Sequence, residues 1–192
     1  INYSCSHDEV RPEHEIKFYT GKHIARPKGM TIQDVALAQA MLGLVAVFAA
    51  PGIPMIYAGQ EFGDDSPRTI DFVPLPWQKL GREAHAAHYR IVQRLIRARR
   101  THHALRSDWI EFLPGDFARD KIVRYRRWDM DGRCALVAIN FGHHGHAIDL
   151  PFPHDGTWRE VLSNRTRTIS VSRGAVRLGP YSAVVYVPGT QI

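Results

Sequence analysis

Pro51-Gly52-Ile53-Pro54-Met55-Ile56-Tyr57-Ala58-Gly59-Gln60-Glu61-Phe62-Gly63 is the stretch that decides how this chain folds. From Val35 to Ala58 the sequence is almost uninterruptedly apolar, long enough on length alone to cross a bilayer. Pro51 and Pro54 fall inside that run, and two prolines so close break the backbone ladder a spanning helix must keep. The run therefore parses as helix, turn and strand. Thr31 is placed as an N-cap, with Asp34 in the capping-box position. From there a helix is expected to reach about Ala50, apolar nearly all round. Pro51-Gly52 stops it, and Met55-Ile56-Tyr57 reads as a short buried strand. A helix and a strand buried on most sides suit a packed α/β barrel, whose parallel strands are covered on both faces.

Downstream, the segment after Gly63 is polar and Pro-rich, and reads as an irregular loop through about Trp77. Arg82 to Arg100 returns to helical period, with Ala84, Ala87, Ile91, Leu95 and Ala98 on one stripe. Past Leu105 the texture changes to short β-rich runs: Trp109–Leu113, Ile122–Trp128, Cys134–Phe141, Ala147–Leu150, Trp158–Leu162, Ile169–Val171, Ala175–Leu178 and Ala183–Val187. Turn residues such as Asp131-Gly132 and Ser163-Asn164 separate them. That punctuation predicts an antiparallel sandwich or barrel.

Upstream, Ser6-His7-Asp8-Glu9 follows the short run Ile1-Asn2-Tyr3. Taken with the Pro51–Gly63 stretch, the intervening apolar helix and the trailing β-rich region, it resembles the last quarter of the catalytic barrel of the α-amylase family, glycoside hydrolase family thirteen. Ser-His-Asp is similar to the motif at the end of that family's seventh barrel strand. The Pro-Gly-x-Pro turn and the residues after it resemble the approach to its eighth. The resemblance implies α/β followed by all-β: the last two βα units of a TIM (β/α)8 barrel over residues 1–106, then a C-terminal antiparallel β-sandwich over 107–192. It also implies that the family's nucleophilic Asp and acid Glu, which belong to strands four and five, have no counterpart in this chain. The start inside a strand, without an initiator Met, reads as a cut in a larger enzyme.

Retaining glycosidases use one carboxylate as nucleophile and a second carboxylic acid to protonate the leaving oxygen. A third carboxylate can stabilise the distorted, oxocarbenium-like sugar electrostatically. By the resemblance, Asp8 is that third, catalytic carboxylate, and His7 is the substrate-binding imidazole on the same sugar ring. On the tripeptide alone, a polar loop after any strand explains these residues; the second stretch favours the functional reading. The implied substrate is an α-glucan oligosaccharide or polysaccharide such as starch, glycogen or maltodextrin. Ser6 in place of the commoner Asn also resembles glycogen-branching members, but Arg11-Pro12-Glu13-His14-Glu15 does not match them, so hydrolysis and transfer both stay open with a lean to hydrolysis. A non-catalytic carbohydrate-binding module is the rival from another class.

The remaining features set limits. The formal charge of +6 and a pI of about 9.6 invite a nucleic-acid reading. Much of the excess sits at Arg90, Arg94, Arg97, Arg99 and Arg100, which a solvated helix face explains, and no nucleic-acid-binding motif accompanies it. Neither nucleic acid nor membrane is expected as a partner. Cys5 and Cys134, far apart, fit reduced thiols and a cytoplasmic location. His143, His144 and His146 lack a completing ligand, so no metal site is expected in this chain. No cofactor is expected either, although the intact enzyme has room for calcium. Glu83, His85 and His88 read as the wet face of a helix, Glu61 as a structural hydrogen-bond partner, and Trp128 and Trp158 as strand core. Two open βα units predict self-association or completion by the missing barrel segments.

Overall fold

The computed structural model describes residues 1–170 and 174–189. A one-turn helix α1 (Pro12–Glu15) runs into a π-helical turn at Ile16–Thr20. Two long helices follow, α2 (Ile32–Ala49) and α3 (Glu83–Thr101). Thr31 caps α2 as its sequence predicts: its hydroxyl accepts from the Asp34 N–H at 3.2 Å, and the Asp34 carboxylate accepts from the Thr31 N–H at 2.8 Å. By length and composition α2 also passes as a membrane span, with a mean hydropathy of 1.7, yet 61% of it is buried inside this fold.

The C-terminus of α2 has no glycine cap. Two arginines supply its missing donors instead. Arg99 Nη1 donates to the carbonyls of Phe48 at 2.6 Å and Ala50 at 2.9 Å, and Arg127 Nη1 to that of Ala49 at 2.9 Å. Both satisfy orphan carbonyls and place positive charge at the negative end of the helix dipole. Arg99 is thus buried, not part of a solvated face. Of the expected α3 stripe, Leu95 and Ala98 are buried with Val92 beside them, Ala87 and Ile91 are half-buried, and Ala84 is exposed.

Among the described residues eight strands follow: β1 (Ile110–Phe112), β2 (Ile122–Trp128), β3 (Cys134–Asn140), β4 (His146–Asp149), β5 (Gly156–Glu160), β6 (Arg165–Ile169), β7 (Ala175–Leu178) and β8 (Ser182–Pro188). A short helix, α4 (Phe117–Asp120), lies between β1 and β2. The main sheet has the order β1-β2-β3-β8-β5-β6 with every pair antiparallel, and β4 pairs with β7 as a separate antiparallel ribbon. The expected strand Ile169–Val171 is displaced: Ile169 ends β6, which begins at Arg165, and Val171 lies outside the described residues. Its register with β5 explains the shift, because Gly156↔Ile169 is already the first pair of that hairpin.

β3 is buried at every position because both its faces are covered. Ala135, Val137 and Ile139 join Val185 and Val187 of β8 in a core with α2 and α3. The alternate residues Cys134, Leu136 and Ala138 join Leu150, Phe152, Trp158, Val176 and Leu178 between the sheet and the β4–β7 ribbon. The sheet is therefore the middle layer of three, and one hydrophobic core runs across the residue 106–107 junction.

The N-terminal segments depart most from expectation. Neither Ile1–Ser4 nor Met55–Tyr57 is a regular strand. They meet in one parallel bridge, Asn2↔Pro54, in which the Asn2 N–H donates to the Ile53 carbonyl and the Met55 N–H to that of Asn2, both at 2.8 Å. Pro54 has no N–H to extend a ladder, and among the described residues neither segment pairs with a second strand. Met55 accordingly is 37% exposed, not buried.

Candidate functional site

The loop that leaves the bridge carries His7 and Asp8. Cys5 is buried at its base, and burial pushes its thiol up to about 11. Ser6 then closes a tight turn. Its N–H donates to Glu9 Oε2 at 2.7 Å, its hydroxyl donates to the same oxygen, and the Asp8 N–H donates to Ser6 Oγ at 3.2 Å. The Ser6 hydroxyl and amide hold the Glu9 carboxyl below its usual value. Glu9 is thereby committed to the turn, while His7 and Asp8 project outward. Their side chains are 79% and 71% exposed, with His7 Nε2 3.4 Å from Asp8 Oδ2. Arg68, from the polar loop after Gly63, donates its Nε to the His7 carbonyl at 3.1 Å. An adjacent imidazole and carboxylate, both open to solvent, offer a hydrogen-bond donor and an acceptor side by side.

Beneath this loop lies a charged cluster that no sequence pattern singles out. Arg11 pairs through Nε with Asp64 Oδ2 at 3.3 Å, donates Nη1 to the Ala58 carbonyl at 2.8 Å, and stands 4.4 Å from the Tyr57 ring centroid. Lys79 bridges Asp64, at 2.6 Å, and Asp65, and Lys17 reaches Asp65 at 2.7 Å. Burial alone would raise Asp65, but hydrogen bonds from Lys17 and Lys79 outweigh it and hold the carboxyl at about 2. Gly59 makes the close approach feasible: at φ 101° a Cβ would stand 2.9 Å from Arg11 Nη1. Glu13 sits among these charges only 1% exposed, with neither carboxylate oxygen hydrogen-bonded among the described residues. Burial pushes it up to about 8. Arg11 and Lys17 lie far along the chain from Asp64 and Asp65, so no local pattern marks the cluster.

The outcome for other site residues is mixed. Glu61 Oε2 accepts from the Gly59 N–H at 2.7 Å, the structural role expected of it. His85 and His88 are not on a wet face: they are 3% and 4% exposed, and bond the carbonyls of Phe62 and Gln60 at 2.8 and 3.1 Å. The carbonyls of the three-ten turn Gln60–Phe62 pull both rings inward. Trp158 is fully buried, whereas Trp77 and Trp109 are 51% and 46% exposed. Among the described residues no three His, Cys, Asp or Glu side chains converge as metal ligands. Asp64 and Asp65 in particular are already balanced by cations and do not form the oxygen cage calcium takes.

Residues 112–190 match the family described as Alpha amylase, C-terminal all-beta domain. The 1,4-alpha-glucan branching enzyme GlgB 2 of Xanthomonas campestris pv. campestris (strain 8004) is 31% identical over 183 residues, covering 91% of this chain and 23% of that enzyme. The alpha-amylase MalA of Haloarcula japonica is 34% identical over 116 residues, covering 58% of this chain and 16% of that one. The chain thus spans about a quarter of the length of the branching enzyme it matches. Among solved structures, the pullulanase of Anoxybacillus sp. LM18-11 complexed with maltotriose superposes with a TM-score of 0.75 at 16% identity, over 98% of this chain and 27% of that one. At that identity the likeness speaks for fold alone. Residues 112–190 belong to the C-terminal all-beta domain of the α-amylase family, and the chain as a whole is similar to part of a 1,4-alpha-glucan branching enzyme.

Proposed function

We propose that this chain is the C-terminal portion of a retaining α-glucan-active glycosidase, with residues 1–106 the last two βα units of its catalytic barrel and 107–192 its β-sandwich. The observation that carries the reading is the placement of His7 and Asp8. They lie side by side and exposed at the end of the segment that bridges in parallel to the one starting at Pro54. In a barrel, that is the rim where active sites lie. Asp8 would stabilise positive charge on the sugar ring, and His7 would bind its hydroxyls. The nucleophile and the general acid belong to segments outside this chain, so the 192 residues alone are inactive. Ile1 and Ile53, 81% and 68% exposed beside the bridge, mark the edge where the remaining barrel or a second copy would join. The substrate is an α-glucan; nucleic acid and membranes have no part in the reading, and the two buried thiols suit a cytoplasmic setting.

A second reading, glucan branching, draws support from the branching-enzyme relative, whose match covers 91% of the chain against 58% for the amylase. One experiment tests the site and separates the two reactions. In the longer protein, Asp8→Asn is expected to lower kcat by at least about 10²–10³-fold, the usual cost of losing one preorganised electrostatic group, with little change in KM. Product analysis of the unmutated enzyme on amylose then shows either new reducing ends or new branch points. Near-normal turnover of Asp8→Asn refutes the assignment.

A further inference from the structure

We propose that the half-open cavity bounded by the end of α3, the β2–β3 turn and β5 binds a phosphate monoester. It measures about 460 Å³, a size usual for small-ligand sites. Arg94 and Arg97 of α3, Arg133 after the β2–β3 turn and Arg159 of β5 line it together with His102 and His103, and no Asp or Glu does. Three separate stretches of chain supply these cations, so the solvated face of one helix does not account for their convergence.

Their existing partners show where charge is left over. Arg94 Nη1 donates to the Leu162 carbonyl at 2.5 Å, and Arg133 pairs with Asp129 at 2.9 Å and with Asp131. The guanidinium groups of Arg97 and Arg159 make no ion pair or hydrogen bond among the described residues. The accumulated positive field is felt at the cavity wall: burial, then Arg159 and Arg133, hold His102 below its ordinary value. Guanidinium groups reaching one volume from different directions match the several oxygens of a phosphoryl group better than a carboxylate. The space exceeds what a bare phosphate fills, and Ala98, Val161 and Val187 line it with apolar surface that can cover an organic group. The ester's source is either a free sugar phosphate or a phosphoryl group carried on an α-glucan. The sugar or glucan part of the ester rests on the proposed function, while the cationic cavity itself shares no residue with His7 and Asp8.

Isothermal titration of the 192-residue chain tests this with four ligands: inorganic phosphate, glucose 6-phosphate, a maltodextrin bearing phosphate monoesters, and the same maltodextrin dephosphorylated. Saturable binding of an ester is expected, weakened at least about tenfold, or 1.4 kcal/mol, by Arg97→Ala and by Arg159→Ala. Arg90→Ala serves as the control, since Arg90 pairs with Glu83 and does not line the cavity. Binding of glucose 6-phosphate assigns a free ester; binding of the phosphorylated maltodextrin alone assigns a glucan-borne one. The His102 ring, followed by NMR, should titrate at higher pH once the ester is bound. No saturable ester binding up to roughly 10 mM, binding of inorganic phosphate only, or equal losses in all three variants overturns the proposal.

Discussion

Arg127 of β2 donates through Nη1 to the carbonyl of Ala49, the last residue of α2, at 2.9 Å. The same nitrogen donates to Leu105 at 2.8 Å, and Nη2 donates to Ser107. One fully buried guanidinium therefore joins the helical half of the chain to the sheet. Replacing it by Met leaves three carbonyls without a donor and is expected to cost about 3–5 kcal/mol. Lys cannot reach all three from one point charge, so Arg127→Lys should recover less than half of that loss. Urea denaturation of the three proteins measures this, and an unchanged midpoint in Arg127→Met contradicts the role.

Glu13 gives the fold a pH dependence. Its carboxyl is pushed up to about 8 in the folded state, against 4.5 for the ordinary group. The folded chain therefore keeps a proton that the unfolded chain releases. Below about pH 4.5 the full contribution is present; it is lost as pH rises toward about 8, and above that the curve is flat for this group. The loss across the window is on the order of a few kcal/mol. Glu13→Gln, permanently neutral, should flatten stability between those limits and be the more stable protein at pH 8. Parallel stability curves for the two proteins would remove Glu13 as the cause.

Gly63 ends the Gln60–Phe62 turn at φ 71°, and a Cβ there would stand 2.4 Å from Leu37 Cδ2 of α2. Gly63→Ala is expected to destabilise by about 2 kcal/mol or more, combining left-handed strain with that overlap. Gly81→Ala meets nothing within 4 Å and provides the comparison. A thermal melt in which both variants match the unmutated chain would show that α2 can give way.

Trp158 anchors the second core, fully buried with its ring 5.1 Å from Phe152, yet its Nε1 has no hydrogen-bond partner among the described residues. Its worth is therefore packing. Trp158→Ala should cost about 3–5 kcal/mol, whereas Trp158→Phe, which removes the orphan donor, should cost less than half as much. Similar losses in both variants would point to a hydrogen bond through Nε1.

Elements with local signals are legible along the chain before it folds. The Thr31–Asp34 box starts α2, Pro51-Gly52 ends it, the α3 stripe has helical period, and Ile122–Trp128 and Ala175–Leu178 coincide with β2 and β7. Each depends on residues within a turn or two of one another. His7 and Asp8 are likewise placed together because they are neighbours in the chain. Features that depend on the surface lying opposite emerge only in three dimensions. Arg99, His85 and His88 carry polar side chains on a helix that looks solvated, and carbonyls distant in the chain, those of Phe48, Ala50, Phe62 and Gln60 among them, draw them inward. Met55–Tyr57 has strand composition but only one neighbour to pair with, so a bridge forms where a ladder was expected. The Arg11–Asp64–Lys79 cluster and the arginine-lined cavity gather charges from distant segments. Burial and pairing are properties of neighbours in space, and those neighbours are fixed only when the sheet closes over α2 and α3.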